Sequence, residues 1–262
     1  MKSAEVGAYW EGNAPAWIEL SRAGYDVYRD ALNTPHFLAL LPQIDGQTGL
    51  DIGCGEGTNT RQLAERGAHM TAADIAPSFI KAETETEQAD PRGITYQHMD
   101  ATALDFADAS FDFATAFMSF MDIPDQDKAL AEVFRVLKPG GFFQFSILHP
   151  CFCPPHRKTL RDENGVCYAI EVGDYYRRTD GEVESWLFGA APPEEREKHP
   201  DFNIPRFHRT LSDWVAMLTE AGFMLEALQE PKADEDTARA VPDVADTRIT
   251  PLFLHLRLRK PA

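Results

Sequence analysis

The nine residues Gly49-Leu50-Asp51-Ile52-Gly53-Cys54-Gly55-Glu56-Gly57 constrain this chain more than any other stretch. A short apolar run leads into three alternating glycines, and residues 58–66 behind them have helical character, so the glycines occupy a strand-to-helix turn. Glycine takes positive φ at little cost and lets a ligand lie against the main chain without meeting a Cβ. The turn therefore predicts a nucleotide-like pocket at the end of a strand.

Spacing narrows the ligand. A dinucleotide fingerprint reads G-x-G-x-x-G, with a pyrophosphate on the helix N-terminus. Here the glycines run G-x-G-x-G at Gly53, Gly55 and Gly57, and Asp51 precedes them. A carboxylate at that point repels a pyrophosphate but can accept a hydrogen bond from a cationic ligand's ammonium group, directly or through water. The pattern resembles the first motif of the class I S-adenosylmethionine (SAM)-dependent methyltransferases.

Further segments follow in the order of that family. Residues 68–75 (AHMTAADI) read as a second strand ending in Asp74, whose carboxylate can take both hydroxyls of a ribose. Charged hydrogen bonds of this kind contribute about 1.5–3 kcal/mol each. Residues 94–101 (ITYQHMDA) resemble the strand and Asp-Ala turn that meets the adenine, with Asp100 accepting from the exocyclic amine and the Ala101 amide donating to the ring. Residues 110–118 resemble the fourth strand, ending at Phe117, and residues 134–143 the turn into the fifth. Asp112, early in a buried strand, is expected to be structural.

The resemblance implies an α/β fold: a Rossmann-like, seven-stranded, mostly parallel sheet with helices on both faces. It also implies SAM as cofactor, leaving as S-adenosylhomocysteine (SAH), held by Asp51, Gly53, Cys54, Gly55, Asp74, Ile75, Asp100, Ala101 and Phe117. The alternation of strand and helix signals supports βαβ units. In such sheets ligands bind at the strand C-termini, and these residues fall on that rim.

Three regions are expected. Residues 1–45 read as an N-terminal helical cap, with Trp10, Trp17 and Leu20 at helical spacing and a helix start at Thr34-Pro35. The aromatic positions suit core packing or a cover over the cofactor, where rings near a sulfonium gain cation–π attraction. Residues 46–148 and 205–262 form the SAM-binding domain. Between them, residues 149–204 break the alternation; a loop of that length is not left structureless in a compact domain, so an inserted, aromatic-rich lid over the substrate is expected. Within it, residues 167–172 read as a strand with 182–188 as hairpin partner. A helix with Ser212 as N-cap follows, then strands at 223–229 and 253–259 joined by an acid-rich surface connection or flap at 232–250.

Composition bounds the function. The chain has 262 residues, 44% hydrophobic, and a net charge of −17. That charge argues against nucleic-acid binding, which relies on Lys and Arg neutralising phosphates, and toward a small-molecule acceptor. No apolar run approaches the ~18–20 residues of a membrane span, and residues 1–5 lack a secretory signal, so a cytoplasmic enzyme without membrane insertion is expected. Cys151 and Cys153 form a C-x-C, flanked by His149 and His156, rather than the C-x2-C of zinc sites, so no metal is expected.

Methyl transfer from a sulfonium needs a base only where the acceptor is a hydroxyl or thiol. His149, directly after the fifth strand, is the first candidate, because its unperturbed pKa suits proton transfer at neutral pH; His208 is the second. Two alternatives stand beside methyl transfer: an atypical nucleotide-dependent oxidoreductase and a non-catalytic SAM-binding protein.

Overall fold

The computed structural model describes residues 1–262. From the N-terminus run α1 (Ser3–Arg22), α2 (Thr34–Leu40), β1 (Thr48–Ile52), α3 (Thr58–Ala64), β2 (His69–Asp74), α4 (Pro77–Ala89), β3 (Thr95–His98), β4 (Phe111–Phe117), α5 (Gln126–Val136) and β5 (Leu137–Leu148). Two hairpins follow, β6 (His156–Arg161) with β7 (Cys167–Gly173) and β8 (Glu182–Trp186) with β9 (Phe202–Arg206), the second enclosing the short α6 (Pro193–Arg196). The chain ends in α7 (Leu211–Glu220), β10 (Met224–Gln229), α8 (Glu235–Ala240) and β11 (Phe253–Arg259). No helix is long and apolar enough to cross a membrane.

Seven strands make one sheet in the order β10-β11-β5-β4-β1-β2-β3, and β11 is its single antiparallel strand. The central strands are buried on both faces, which is why β4 and β5 read as continuous apolar runs rather than alternating ones. One face packs on α5 and α7 through Leu130, Val133, Phe143, Phe145, Trp214 and Leu256. The other holds Phe37 of α2, Leu63 of α3 and Met70, with Phe113 stacked on Phe142 at 5.2 Å. Phe145 is fully buried. Phe145→Ala is expected to destabilise the fold by about 3–5 kcal/mol, read by chemical denaturation.

Several local expectations give way to tertiary context. The segment predicted to begin a helix at Thr34-Pro35 is instead continuous: a π-helical turn, Arg29–Asn33, runs straight into α2, and the Thr34 N–H donates to the Arg29 carbonyl. The extra residue of the π turn accommodates Pro35, which has no N–H to offer. The N-cap of α7 is Thr210, not Ser212: its hydroxyl accepts from the Asp213 N–H at 3.1 Å while Asp213 accepts from the Thr210 N–H at 3.0 Å. Strand β7 pairs with β6, not with residues 182–188, of which only 182–186 form a strand, paired with β9. Residues 232–250 are neither a bare connection nor a flap. They carry α8 and a 3-10 turn, Pro242–Arg248, whose buried Val244 packs with Leu32 and Phe253.

The inserted segment is joined to the N-terminus. Trp17 of α1 sits 4.8 Å from Phe202 and 5.0 Å from Phe188, and Asn13 exchanges two 2.9 Å hydrogen bonds with the backbone of Asn203. α1 and the β8–β9 hairpin thus form one apolar unit over the C-terminal rim of the sheet.

Candidate functional site

The rim encloses a cavity of about 440 Å³. Its lining includes Ile52, Asp74, Met99, Phe117 and Leu148, residues at or just past the ends of β1, β2, β3, β4 and β5. Trp10 and Trp17 of α1, with Trp186 and Phe188 from the insertion, complete it.

The loop glycines have distinct duties. All three take left-handed φ, 69° at Gly53, 53° at Gly55 and 76° at Gly57. A Cβ at Gly53 would lie 2.4 Å from the Ser119 side chain, and one at Gly57 would lie 2.0 Å from Glu83, so those two allow close packing of the loop. A Cβ at Gly55 would meet nothing within 4 Å. Gly55 lines the cavity and leaves the main chain open to a ligand.

Asp74 is 7% exposed and lines the cavity. Its Oδ2 accepts from the Gly55 N–H and its Oδ1 from the Ala76 N–H, both at 2.9 Å, which aims the carboxylate and leaves lone pairs on both oxygens. Burial pushes its pKa up to about 6, against the pull of those two N–H groups. Asp100 caps Thr102 through Oδ1, at 2.8 Å to the backbone N–H. Cys54, Ile75, Asp100, Ala101 and Phe117 all line the same cavity. The Cys54 thiol is pushed well up by burial and by the nearby Asp74, so it is a neutral wall.

Three predicted site residues lie elsewhere. Asp51 is fully buried and does not line the cavity; its Oδ1 accepts from Thr115 at 2.8 Å and its Oδ2 from Thr60 at 2.6 Å. It ties β1 to β4 and to α3, holding the loop rather than meeting a ligand directly. His149 is also buried and outside the cavity. Its Nδ1 accepts from the Cys151 N–H at 3.2 Å, which places the proton on Nε2, donated to Glu230 at 2.8 Å. With both ring nitrogens engaged and burial lowering its pKa, His149 ends the strand and is not a base for the cavity. His208 donates from Nε2 to the Tyr175 carbonyl at 2.8 Å and lines no part of the cavity. His149→Gln is accordingly expected to leave turnover within a few fold while lowering thermal stability; a loss of ~10²-fold or more in rate, the scale of a missing acid–base group, would restore its catalytic role.

The C-x-C is likewise absorbed locally. The Cys153 Sγ lies 3.7 Å from the Leu252 carbonyl, and the Cys151 Sγ lies 3.8 Å from the Tyr175 hydroxyl. Asp112 accepts from the Thr48 N–H and from Lys138, as a structural residue should.

Other lining residues had no marker in the sequence. Arg29 of the π turn is hydrogen-bonded to Glu56 of the glycine loop and, at 2.7 Å, to Ser21. Tyr28 reaches the carbonyl of Asp243 at 2.6 Å, fastening the 3-10 turn over the rim. Asp122, just past β4, and Arg206, at the end of β9, face the cavity from the side of the insertion.

The lining carries Asp26, Glu56, Asp74, Asp100, Asp122 and Asp243 against two guanidiniums, Arg29 and Arg206. An excess of carboxylates suits a cationic ligand and opposes a phosphate-bearing one. Together with the open face of Gly55 and the aimed carboxylate of Asp74, it fits an adenosyl group attached to a sulfonium.

The parallel sheet, its single antiparallel strand and the cavity at the strand C-termini define a nucleoside-binding α/β protein. Residues 50–145 match the family model described as a methyltransferase domain. A demethylmenaquinone methyltransferase from Renibacterium salmoninarum is 34% identical over 57% of this chain and 62% of its own length, and one from Clavibacter sepedonicus is 38% identical over 37% and 40%. The chain thus spans less than two thirds of these relatives. The structure of a SAM-dependent methyltransferase from Mesorhizobium loti superposes with a TM-score of 0.67 at 26% identity, covering 86% of this chain and 96% of that one. Residues 50–145 thus match a methyltransferase domain, and the fold of the chain is similar to that of a SAM-dependent methyltransferase.

Proposed function

We propose that this protein transfers the methyl group of SAM to a small, largely apolar acceptor enclosed between the sheet rim and the inserted hairpin. The observation that carries the reading is the continuity of one cavity. It runs from the adenosyl-type set, Gly55, Asp74, Asp100 and Ala101, to the aromatic wall of Trp17, Trp186 and Phe188. When bound, SAM supplies a methyl group on a cationic sulfur, which leaves as the neutral thioether of SAH.

The chain's own contribution is placement. Asp74 takes the ribose hydroxyls, and Asp100 with the Ala101 N–H takes the adenine edge. The unit of α1 and residues 149–204 acts as the substrate lid, its aromatic side chains excluding water and confining the acceptor. Holding two reactants in line is worth about 7–11 kcal/mol without any acid–base group. Demethylmenaquinone, the acceptor named for two relatives, is one apolar molecule of the kind this wall suits.

Isothermal calorimetry with SAM, SAH and NAD tests the cofactor. Saturable binding of SAM and SAH at one site, with no heat from NAD, is the expected result. NAD binding, or no binding of SAH, would overturn the reading.

A further inference from the structure

One carboxylate that lines the cavity has been left without a partner. Asp122 closes a 3-10 turn, Phe120–Asp122, directly after β4. It is 5% exposed, it lines the cavity, and its Oδ1 meets no hydrogen-bond donor of the chain. A buried polar atom in that condition costs about 1–3 kcal/mol, more when charged, so its retention in a well-packed site points to a ligand.

The turn cannot swing Asp122 out to solvent. Its backbone N–H donates to the Ser119 carbonyl at 3.0 Å, the Ser119 hydroxyl donates to the Ile52 carbonyl at 2.6 Å, and Gln126 reaches the Met121 carbonyl at 3.4 Å. Met118, just before the turn, is held at φ 55°, a left-handed conformation that side chains rarely adopt. Asp122 is therefore fixed relative to β4, while Asp74 and Asp100 stand at the ends of β2 and β3, across β1 in the sheet. It thus lines the cavity from the exit of β4, beside β9, and not from the strand exits that carry Asp74 and Asp100.

Its charged neighbours come from the insertion. Burial pushes the Asp122 carboxyl up to about 7; Arg206 on β9 pulls it back down and Glu184 on β8 opposes that pull. Arg206 itself stands 3.5 Å from Glu184. Met121, Ile123, Trp186 and Phe188 supply apolar wall in the same cavity.

We infer that Asp122 is the acceptor-recognising group of this enzyme: it accepts a hydrogen bond from a neutral hydroxyl or N–H carried on a flat, apolar acceptor. This rests on the methyltransferase reading and assigns the substrate class within it. An ammonium acceptor is disfavoured because it has no lone pair for the methyl group and would sit beside both Arg206 and the cofactor's sulfonium. An anionic acceptor would meet the carboxylate's own charge.

The test uses 2-naphthol and 2-methoxynaphthalene as probes, titrated by calorimetry into the full chain saturated with SAH at mildly alkaline pH, where Asp122 is ionised. Wild type is expected to favour 2-naphthol by about tenfold or more, the worth of one charge-assisted hydrogen bond. In Asp122→Ala the preference should collapse, and in Asp122→Asn, which keeps a neutral acceptor, it should be intermediate. Removing a carboxylate that has no donor is not expected to unfold the protein, and thermal melting of each variant checks this. Equal affinity for the two probes, no binding of either, or a preference that survives Asp122→Ala would overturn the assignment. SAH titrated alone into the wild type separates the two readings: if SAH binds and the probes do not discriminate, only the role of Asp122 fails.

Discussion

Asp74→Ala is expected to weaken SAM binding by about 10²-fold or more while the protein remains folded. Two charge-assisted hydrogen bonds to ribose hydroxyls, at about 1.5–3 kcal/mol each, set that scale. The variant also frees the Gly55 and Ala76 N–H groups that the carboxylate now holds, so the glycine loop loses its anchor together with the ligand contact. The same residue imposes a pH dependence. Because the Asp74 carboxyl titrates near 6, the ionised form that accepts best dominates above that value and is lost as the pH falls through it. SAM affinity should therefore be level above neutrality and fall by up to tenfold per unit at acid pH, since one proton competes with the ligand. Calorimetry across that range on wild type and on Asp74→Ala checks both claims, because the acid limb should be absent from the variant. Affinity unchanged by the substitution would remove Asp74 from the ribose site.

The second large effect concerns stability. Arg29→Ala should destabilise the fold by about 3–5 kcal/mol, because it strands a buried charge rather than removing a surface pair. The guanidinium side chain is 10% exposed and that of Glu56 only 6%. With Arg29 gone, Glu56 keeps only the Thr58 hydroxyl, at 2.7 Å. For a chain of this size, about 2–4 °C are lost per kcal/mol, so the melting temperature should drop by roughly 6–20 °C. SAM affinity should fall too, since Glu56 belongs to the glycine loop and both residues line the cavity. Saturating SAH should recover part of the lost stability, because a ligand that binds only the folded state stabilises it by mass action. Differential scanning calorimetry with and without SAH reads both. A shift of only a degree or two would show that water reaches Glu56 and that the pair is effectively a surface one.

The fold was legible because its signals are local and periodic. The glycine turn after β1, the carboxylate ending β2 and the Asp-Ala turn after β3 each follow from a strand's exit geometry, and their order carried the sheet with them. Capping was less legible. Thr210 and Ser212 both suit a helix start, and only the reciprocal bond with Asp213 separates them. The hairpin pairing in the insertion was misread because strand partners depend on register across space. Residues 167–172 and 182–188 are adjacent in sequence, yet each finds its partner on the other side.

The candidate site divided along the same line. Gly55, Asp74, Ile75, Asp100, Ala101 and Phe117 were readable because backbone geometry alone brings strand C-termini to one rim. Asp51 and His149 sat at suggestive positions, but their side chains turned to local partners, Thr60 and Thr115 for one, Cys151 and Glu230 for the other. A position in the chain does not reveal which hydrogen bonds a buried polar group will find, and an imidazole with both nitrogens engaged is a different object from a free one.

The sequence by itself thus determined the class of sheet and which strand ends meet at one rim, because strand exits and turn chemistry are properties of short segments. Only the tertiary structure decided which polar groups remain free inside the cavity. Asp122 comes from the exit of β4 and Arg206 from the end of β9, and Arg29 meets Glu56 of the glycine loop. Such meetings follow from long-range packing, which no local pattern encodes.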